Sequence, residues 1–361
     1  MSLNFRFAVV SDLHIALPHT IWDHPSRFHL VEVSIPALEI VLEHLEQQKL
    51  DFLLLPGDLT QHAEPDNHAW LQERLTQLPF PVYVVPGNHD VPSVLADFPH
   101  YYRKFGYDNP EQLYYTCEVL PGVRLIGLNS NSFDEQGQQV GRLDDTQIGW
   151  LREVLAKTKH ELVMVMVHHN VVEHLPNQSR DQLARRYILE NASELLQLLS
   201  DSGVQLVFTG HLHVQDIAYS QGVYDITTGS LVSYPHPYRV LEFHQDNYGR
   251  NWLQISSHRV ESVPNYPTLQ QVSRQWVGDR SFPFMLKLLK GPPLNLPQNE
   301  AEALAPSLRN FWADIAGGDA LFDFPQFPPI ARRYFEKFGA IAADGSPTLI
   351  DNNTTLLLQK T

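Results

Sequence analysis

Cysteine is almost absent from this chain: Cys117 is the only one in 361 residues. An intramolecular disulfide is therefore excluded, as is a metal site built from thiolates, and a cytoplasmic location is the natural expectation. Basic residues are also scarce, with 26 Lys and Arg against 41 Asp and Glu, for a formal charge of −15. A field of that sign repels polyanions and disfavours long nucleic acid or an anionic membrane surface as partner, although a small anion can still enter a locally positive site. Long apolar runs are missing too. Stretches such as Leu162 to Val167 fall far short of the roughly 20 residues that cross a bilayer. The N-terminal run has neither the cleavage site nor the length of a signal segment, so no membrane association is expected.

What the chain does have is a globular composition, 43% apolar and only 19% charged, together with 18 histidines. Short runs of Val, Ile, Leu and Phe recur and end in polar clusters. Those at Phe5–Val10, Phe52–Leu55, Val82–Val85, Arg124–Leu128, Leu162–Val167 and Leu206–Phe208 read as buried strands. Helical periodicity lies between several of them, at Ile35–Gln48, His68–Leu78, Asp145–Lys157 after an Asp144 cap, and Asp181–Leu199. Strands alternating with helices imply an α/β sheet. Tyr224–Thr227, Val240–Phe243 and Trp252–Ser257 follow with short turns, as expected of antiparallel strands completing a second sheet. Beyond Val263 prolines cluster between short helical segments. The expected division is thus residues 1–263, the main domain, and residues 264–361, a Pro-rich helical extension for packing, a pocket lid or a homo-oligomer contact.

Five polar clusters stand where strands end: Asp12-Leu-His14, Gly57-Asp58, Gly87-Asn88-His89-Asp90, His168-His169-Asn170 and Gly210-His211-Leu-His213. Singly, each has a bland explanation, because Asp and Asn cap helices and lone histidines are usually surface or core residues. Together, so many carboxylates and imidazoles at one sheet edge are electrostatically costly without a cation. The carboxyl ends of strands are where open α/β sheets bind ligands. In an extended Asp12-x-His14 segment both side chains project to one side and can grip one ion, as can His211 and His213. Donors that are all nitrogen or oxygen suit Mn, Fe or Zn.

The series DxH, GD, GNH[DE], H and GHxH resembles the calcineurin-like metallophosphoesterase superfamily. The stretch from Gly57 to Pro65 further resembles the class III cyclic nucleotide phosphodiesterase branch, close to glycerophosphodiesterases. The resemblance covers roughly residues 5 to 260 and implies an α/β fold of two mixed β-sheets packed as a sandwich flanked by helices. It implies two divalent or trivalent ions, one held by Asp12, His14 and His213 and the other by Asn88, His168 and His211, with Asp58 bridging them. A metal-bridging hydroxide is the implied nucleophile. His89 corresponds to the family's non-ligating histidine, which stabilises the transition state or protonates the leaving oxygen; support of the adjacent ligand is the alternative. Asp90 either orients His89 or caps the next helix. His168 is taken as the ligand by analogy, leaving His169 beside it or at the rim.

Substrate residues are less defined. Trp22, His24, Arg27 and His29 lie in the loop after the first motif, and Ser233 to Arg239, with His236 among them, lies near the last strands. Each set either lines the pocket mouth or is an ordinary loop. The implied activity is hydrolysis of a small phosphodiester, a cyclic nucleotide or glycerophosphodiester. A phosphomonoesterase or nucleotide pyrophosphohydrolase is the alternative. A non-catalytic protein-binding scaffold of the same fold is opposed by the intact ligand set.

Overall fold

The computed structural model describes residues 3–22, 27–91, 97–181, 184–341 and 345–359. Asn4–Val9 forms strand β1, and Phe52–Leu55, apolar throughout, forms β2 with all four side chains buried. A strand between parallel neighbours is covered on both faces, so it reads as an unbroken apolar run. The other strands are β3 (Val82–Val84), β4 (Tyr115–Leu120), β5 (Val123–Gly127), β6 (Asn131–Phe133), β7 (Gln139–Gly141), β8 (Leu162–Met166) and β9 (Leu206–Thr209), then β10 (Asp216–Ser220), β11 (Val223–Thr227), β12 (Pro237–Gln245), β13 (Asn251–Arg259) and β14 (Thr354–Leu358). The helices are α1 (Ser34–Glu46), α2 (Pro65–Thr76), α3 (Phe98–Tyr101), α4 (Asp145–Lys157), α5 (Ala192–Asp201), α6 (Leu269–Lys290), α7 (Gln298–Leu304), α8 (Phe311–Gly317) and α9 (Pro329–Glu336).

Two six-stranded mixed sheets face each other, in the orders β14-β13-β12-β1-β2-β3 and β10-β11-β9-β8-β5-β4. The alternation of β8 shows how they are covered: Met164 and Met166 enter the cluster between the sheets, while Val163 and Val165 turn to the cluster under α4 and α5. Phe7 of β1 meets Phe208 of β9 edge-on across the sandwich, with ring centroids 5.4 Å apart. Helix α1 buries Leu38, Val41, Leu42 and Leu45 at its 3.6-residue spacing. Helix α4 begins where expected, because the Asp144 carboxylate accepts the Gln147 N–H at 2.7 Å.

Three segments differ from the sequence expectation. Strand β11 is parallel to β9 in the second sheet, but β12 and β13 return to the first, where β12 pairs antiparallel with β1. Where a helix is expected over Asp181–Leu199, the described residues before α5 make only a 3-10 turn at Arg185–Tyr187, because Asn191 is held by both backbone groups of Leu143 and Ile188 bridges to Asn170. The region after residue 263 is mostly helical, yet Thr354–Leu358 is a strand paired with β13. The helices α6 to α9 pack on a third apolar cluster that includes Leu175, Leu212 and Val214.

Strands β1, β2 and β3 are adjacent and parallel in one sheet, as are β8 and β9 in the other. Their carboxyl ends carry the five polar motifs.

Candidate metal centre

The backbone of these loops is not extended. Asp12 and His14 have φ of 52° and 43°, Asp58 49°, and His211 and His213 64° and 59°. The expectation that Asp12 and His14 lie on one extended segment is therefore corrected: left-handed residues turn both side chains inward. Asp and His enter that region more readily than most residues, and each such position costs about 1–3 kcal/mol unless its surroundings hold it. The loops also approach very closely. A Cβ on Gly57 would lie 2.4 Å from His168 Nδ1, and one on Gly87 would lie 2.1 Å from the Asp58 nitrogen.

Two groups of side chains able to hold an ion result. Asp12, His14, Asp58 and His213 offer ligand atoms within 4.8 Å of one another, and so do Asp58, His168 and His211. Asp58 belongs to both. One of its oxygens is 3.7 Å from His14 Nε2 and 3.3 Å from His168 Nε2; the other accepts the His89 N–H at 2.8 Å. Asn88 Oδ1 lies 3.2 Å from His168 Nε2, which places it with the second group. Asp12 is 3.1 Å from His213 Nε2 and accepts the His211 N–H. His168 turns its Nδ1–H to the Pro56 carbonyl at 2.8 Å, leaving Nε2 to face Asp58. Its neighbour His169 has Nδ1 2.8 Å from Ser130 Oγ, and its ring centroid lies 4.2 Å from that of His211.

Charge and burial oppose each other throughout. Burial works against ionisation of Asp58, but His168 and His89 beside it hold the carboxyl well below its usual range. Burial likewise pushes His168 down, and the Asp58 carboxylate overcomes it, raising the ring to about 9. For His14, burial and the neighbouring His29 and His89 act together and keep it well below its ordinary value. His14 is completely buried, yet neither ring nitrogen has a hydrogen-bond partner among the described residues. Buried polar atoms are nearly always paired. A neutral imidazole with both nitrogens unpaired, facing carboxylates, fits a bound cation.

The remaining candidates fall in different places. His89 donates its Nδ1–H to the Gln61 carbonyl at 2.6 Å, and its ring centroid is 4.6 Å from that of His14. Asp90 joins two motif loops: its carboxylate accepts N–H groups from Leu59, Thr60 and Gly87 at 2.9–3.0 Å. Burial, with Asp58 nearby, raises it to about 7. Arg27 pairs with Glu32 and lies 5.8 Å from the Trp276 ring of α6. His236 is completely buried, and its Nδ1–H donates to the Leu231 carbonyl, so it does not stand at the surface of the mouth. Arg239, from the same stretch, is buried against the Thr227 and Asp351 carbonyls. Trp22 is exposed near His62, and His24 lies outside the described residues. His29 reaches the centre itself, forming a third group with His14 and His213. Its sequence signal is weak, a single histidine in a loop.

Comparison with known proteins agrees with this geometry. The family model for calcineurin-like phosphoesterases matches residues 5–215. The chain is 24% identical to the 3′,5′-cyclic adenosine monophosphate phosphodiesterase of Haemophilus influenzae, over 73% of this chain and 94% of that one. A probable cyclic nucleotide phosphodiesterase of Psychrobacter is 28% identical, but the match spans 51% of this chain and 53% of the relative. A probable glycerophosphodiester phosphodiesterase of Arcobacter nitrofigilis is 27% identical over 46% and 57%. Among solved structures, a dimetal phosphatase from Danio rerio has the same fold, with a TM-score of 0.55 and 16% identity over 71% of this chain and 96% of that one. With the match covering more than half its length, the chain belongs to the calcineurin-like phosphoesterase family.

Proposed function

We propose that the chain is a dinuclear metal-dependent hydrolase of small phosphodiesters, of cyclic nucleotide or glycerophosphodiester type. The observation that carries the reading is the Asp58 carboxylate common to two groups of ligand atoms. Asp12, His14 and His213 would hold one cation with it, and Asn88, His168 and His211 would hold the other. Bound there, Fe, Mn or Zn would polarise a phosphoryl oxygen and make a water acidic enough to attack near neutral pH.

The side chains around the ions have separate tasks. A carbonyl oxygen only accepts, so the contacts to Pro56 and Gln61 fix Nδ1–H on both His168 and His89. That leaves Nε2 of His168 for the ion and Nε2 of His89 to meet the ester. With a second proton on Nε2, as the imidazolium, His89 would stabilise charge on the phosphoryl oxygens or give that Nε2 proton to the leaving oxygen. Asp90 ties the Asp58 loop to the Asn88 loop, which keeps ligands from two strands in register.

Preference for a diester is supported by the names of the relatives. The test is a metal-replete screen of aryl diesters and monoesters with one leaving group, cyclic nucleotides, glycerophosphodiesters and long DNA. A ratio of kcat/KM above one for diester over monoester is expected, with little turnover of DNA at physiological salt because of the acidic surface. A ratio clearly below one would move the assignment to a phosphomonoesterase or nucleotide pyrophosphohydrolase.

A further inference from the structure

We propose that His29 is an additional metal ligand, binding beside His14 and His213 and giving that end of the centre three imidazoles. The inference rests on the dinuclear reading above and extends it to a residue outside the five motifs. His14, His29 and His213 offer ligand atoms within 4.8 Å of one another, so a single ion is within reach of all three. The His29 ring centroid lies 4.0 Å from that of His14 and 4.9 Å from that of His213.

Packing alone does not account for this arrangement. A histidine that only fills space turns its nitrogens to hydrogen-bond partners, yet among the described residues both nitrogens of His14, whose ring lies 4.0 Å away, are unpaired. His29 Nδ1 faces Gln61 Oε1 at 3.5 Å, at the limit of a hydrogen bond. This contact marks Nδ1 as the protonated nitrogen and leaves Nε2 as the donor atom, the arrangement that orients metal-bound imidazoles.

The backbone on either side is fixed. Trp276 Nε1–H donates to the Phe28 carbonyl at 2.9 Å, Arg280 Nε–H to the Arg27 carbonyl at 2.7 Å, and the Leu30 N–H to the Val232 carbonyl at 2.9 Å. Helix α6 thus holds the loop at the two residues before His29, and the turn before β12 holds it at the residue after. Three imidazoles favour Zn or Fe at that position over a hard ion such as Mg.

The test compares wild type, His29→Gln and His213→Gln after loading with Co(II). Bound metal and the visible ligand-field bands are read, and each fold is checked by thermal unfolding in chelator. His213→Gln is expected to lose one ion. His29→Gln should bind that same ion at least about tenfold more weakly and with altered bands. A wild-type spectrum and affinity in His29→Gln, with His213→Gln impaired, overturns the role of His29 alone. If wild type binds fewer than two ions, the dinuclear reading falls and the inference with it. Should His29→Gln not fold, the wild-type Co(II) protein still decides. Its hyperfine-shifted imidazole N–H signals number five if His14, His29, His168, His211 and His213 all bind, and four overturn the proposal.

Discussion

Asp58 accepts a backbone N–H on one carboxylate oxygen and faces two imidazoles with the other, so both oxygens are committed. An amide in its place keeps the shape but loses the charge that would make the two proposed cations tolerable to each other. Asp58→Asn is expected to abolish turnover and lower bound metal, read by elemental analysis; two retained ions with normal turnover would remove the bridging role. In the proposed mechanism His89 separates chemistry from binding, because its side chain is anchored on the Gln61 carbonyl and belongs to none of the candidate ligand groups among the described residues. In His89→Ala, kcat should fall by roughly 10²–10⁴ while metal content stays unchanged. Loss of metal in that variant would instead make His89 structural. The ligand-type residues were legible in the sequence because each follows an apolar strand and carries oxygen or imidazole. Their geometry was not: φ angles of 43° and 52° at His14 and Asp12 arise from the surrounding loops. His29 was read with Trp22, His24 and Arg27 as lining the pocket mouth or belonging to an ordinary loop, and its place beside His14 was not legible because its anchors Trp276 and Arg280 are remote in sequence.

At the scale of elements, the loop after β8 is fastened beneath the centre by a buried ion pair. His174 Nδ1 is 2.6 Å from Asp216 and its Nε2 is 3.3 Å from Asp225, whose carboxylate also accepts the Val171 and Val172 N–H groups. Burial alone would push His174 down, but Asp225 and Asp216 raise it to about 10. A histidine raised in the folded state contributes stability that is fully present below its unfolded value of about 6.5 and is lost as pH rises through about 10. His174→Gln should therefore cost roughly 3–5 kcal/mol near pH 6, with the deficit shrinking towards pH 10. Unfolding curves of both proteins across that range check it; a constant deficit would show that His174 is neutral. Elements with strong local patterns, such as α1, α4 and β2, were readable from periodicity and capping. The expected helix over Asp181–Leu199 was not, because contacts from Leu143 and Asn170 outweigh local propensity there. Strand β14 escaped notice because its partner β13 lies far upstream.

For the molecule as a whole, the extension after residue 263 is more than an appendage. It supplies the outer strand of the first sheet, covers Leu212 and Val214 beside the last ligand loop, and holds the His29 loop through α6. A chain ending at Val263 would expose the edge of β13 and the apolar side chains of Leu175, Leu212 and Val214, which invite association. Such a truncation is expected to aggregate or to melt well below the full chain, as gel filtration and calorimetry would show. A monomer with full-length stability and metal content would make the extension dispensable. The pairing of β13 with β14 also sets an order of events during synthesis. Strand β13 emerges from the ribosome as an open edge and stays one until residues 354–358 follow. The nascent protein is therefore most vulnerable to mispairing with other chains in that interval, after its catalytic half has been made and before its sheet is closed.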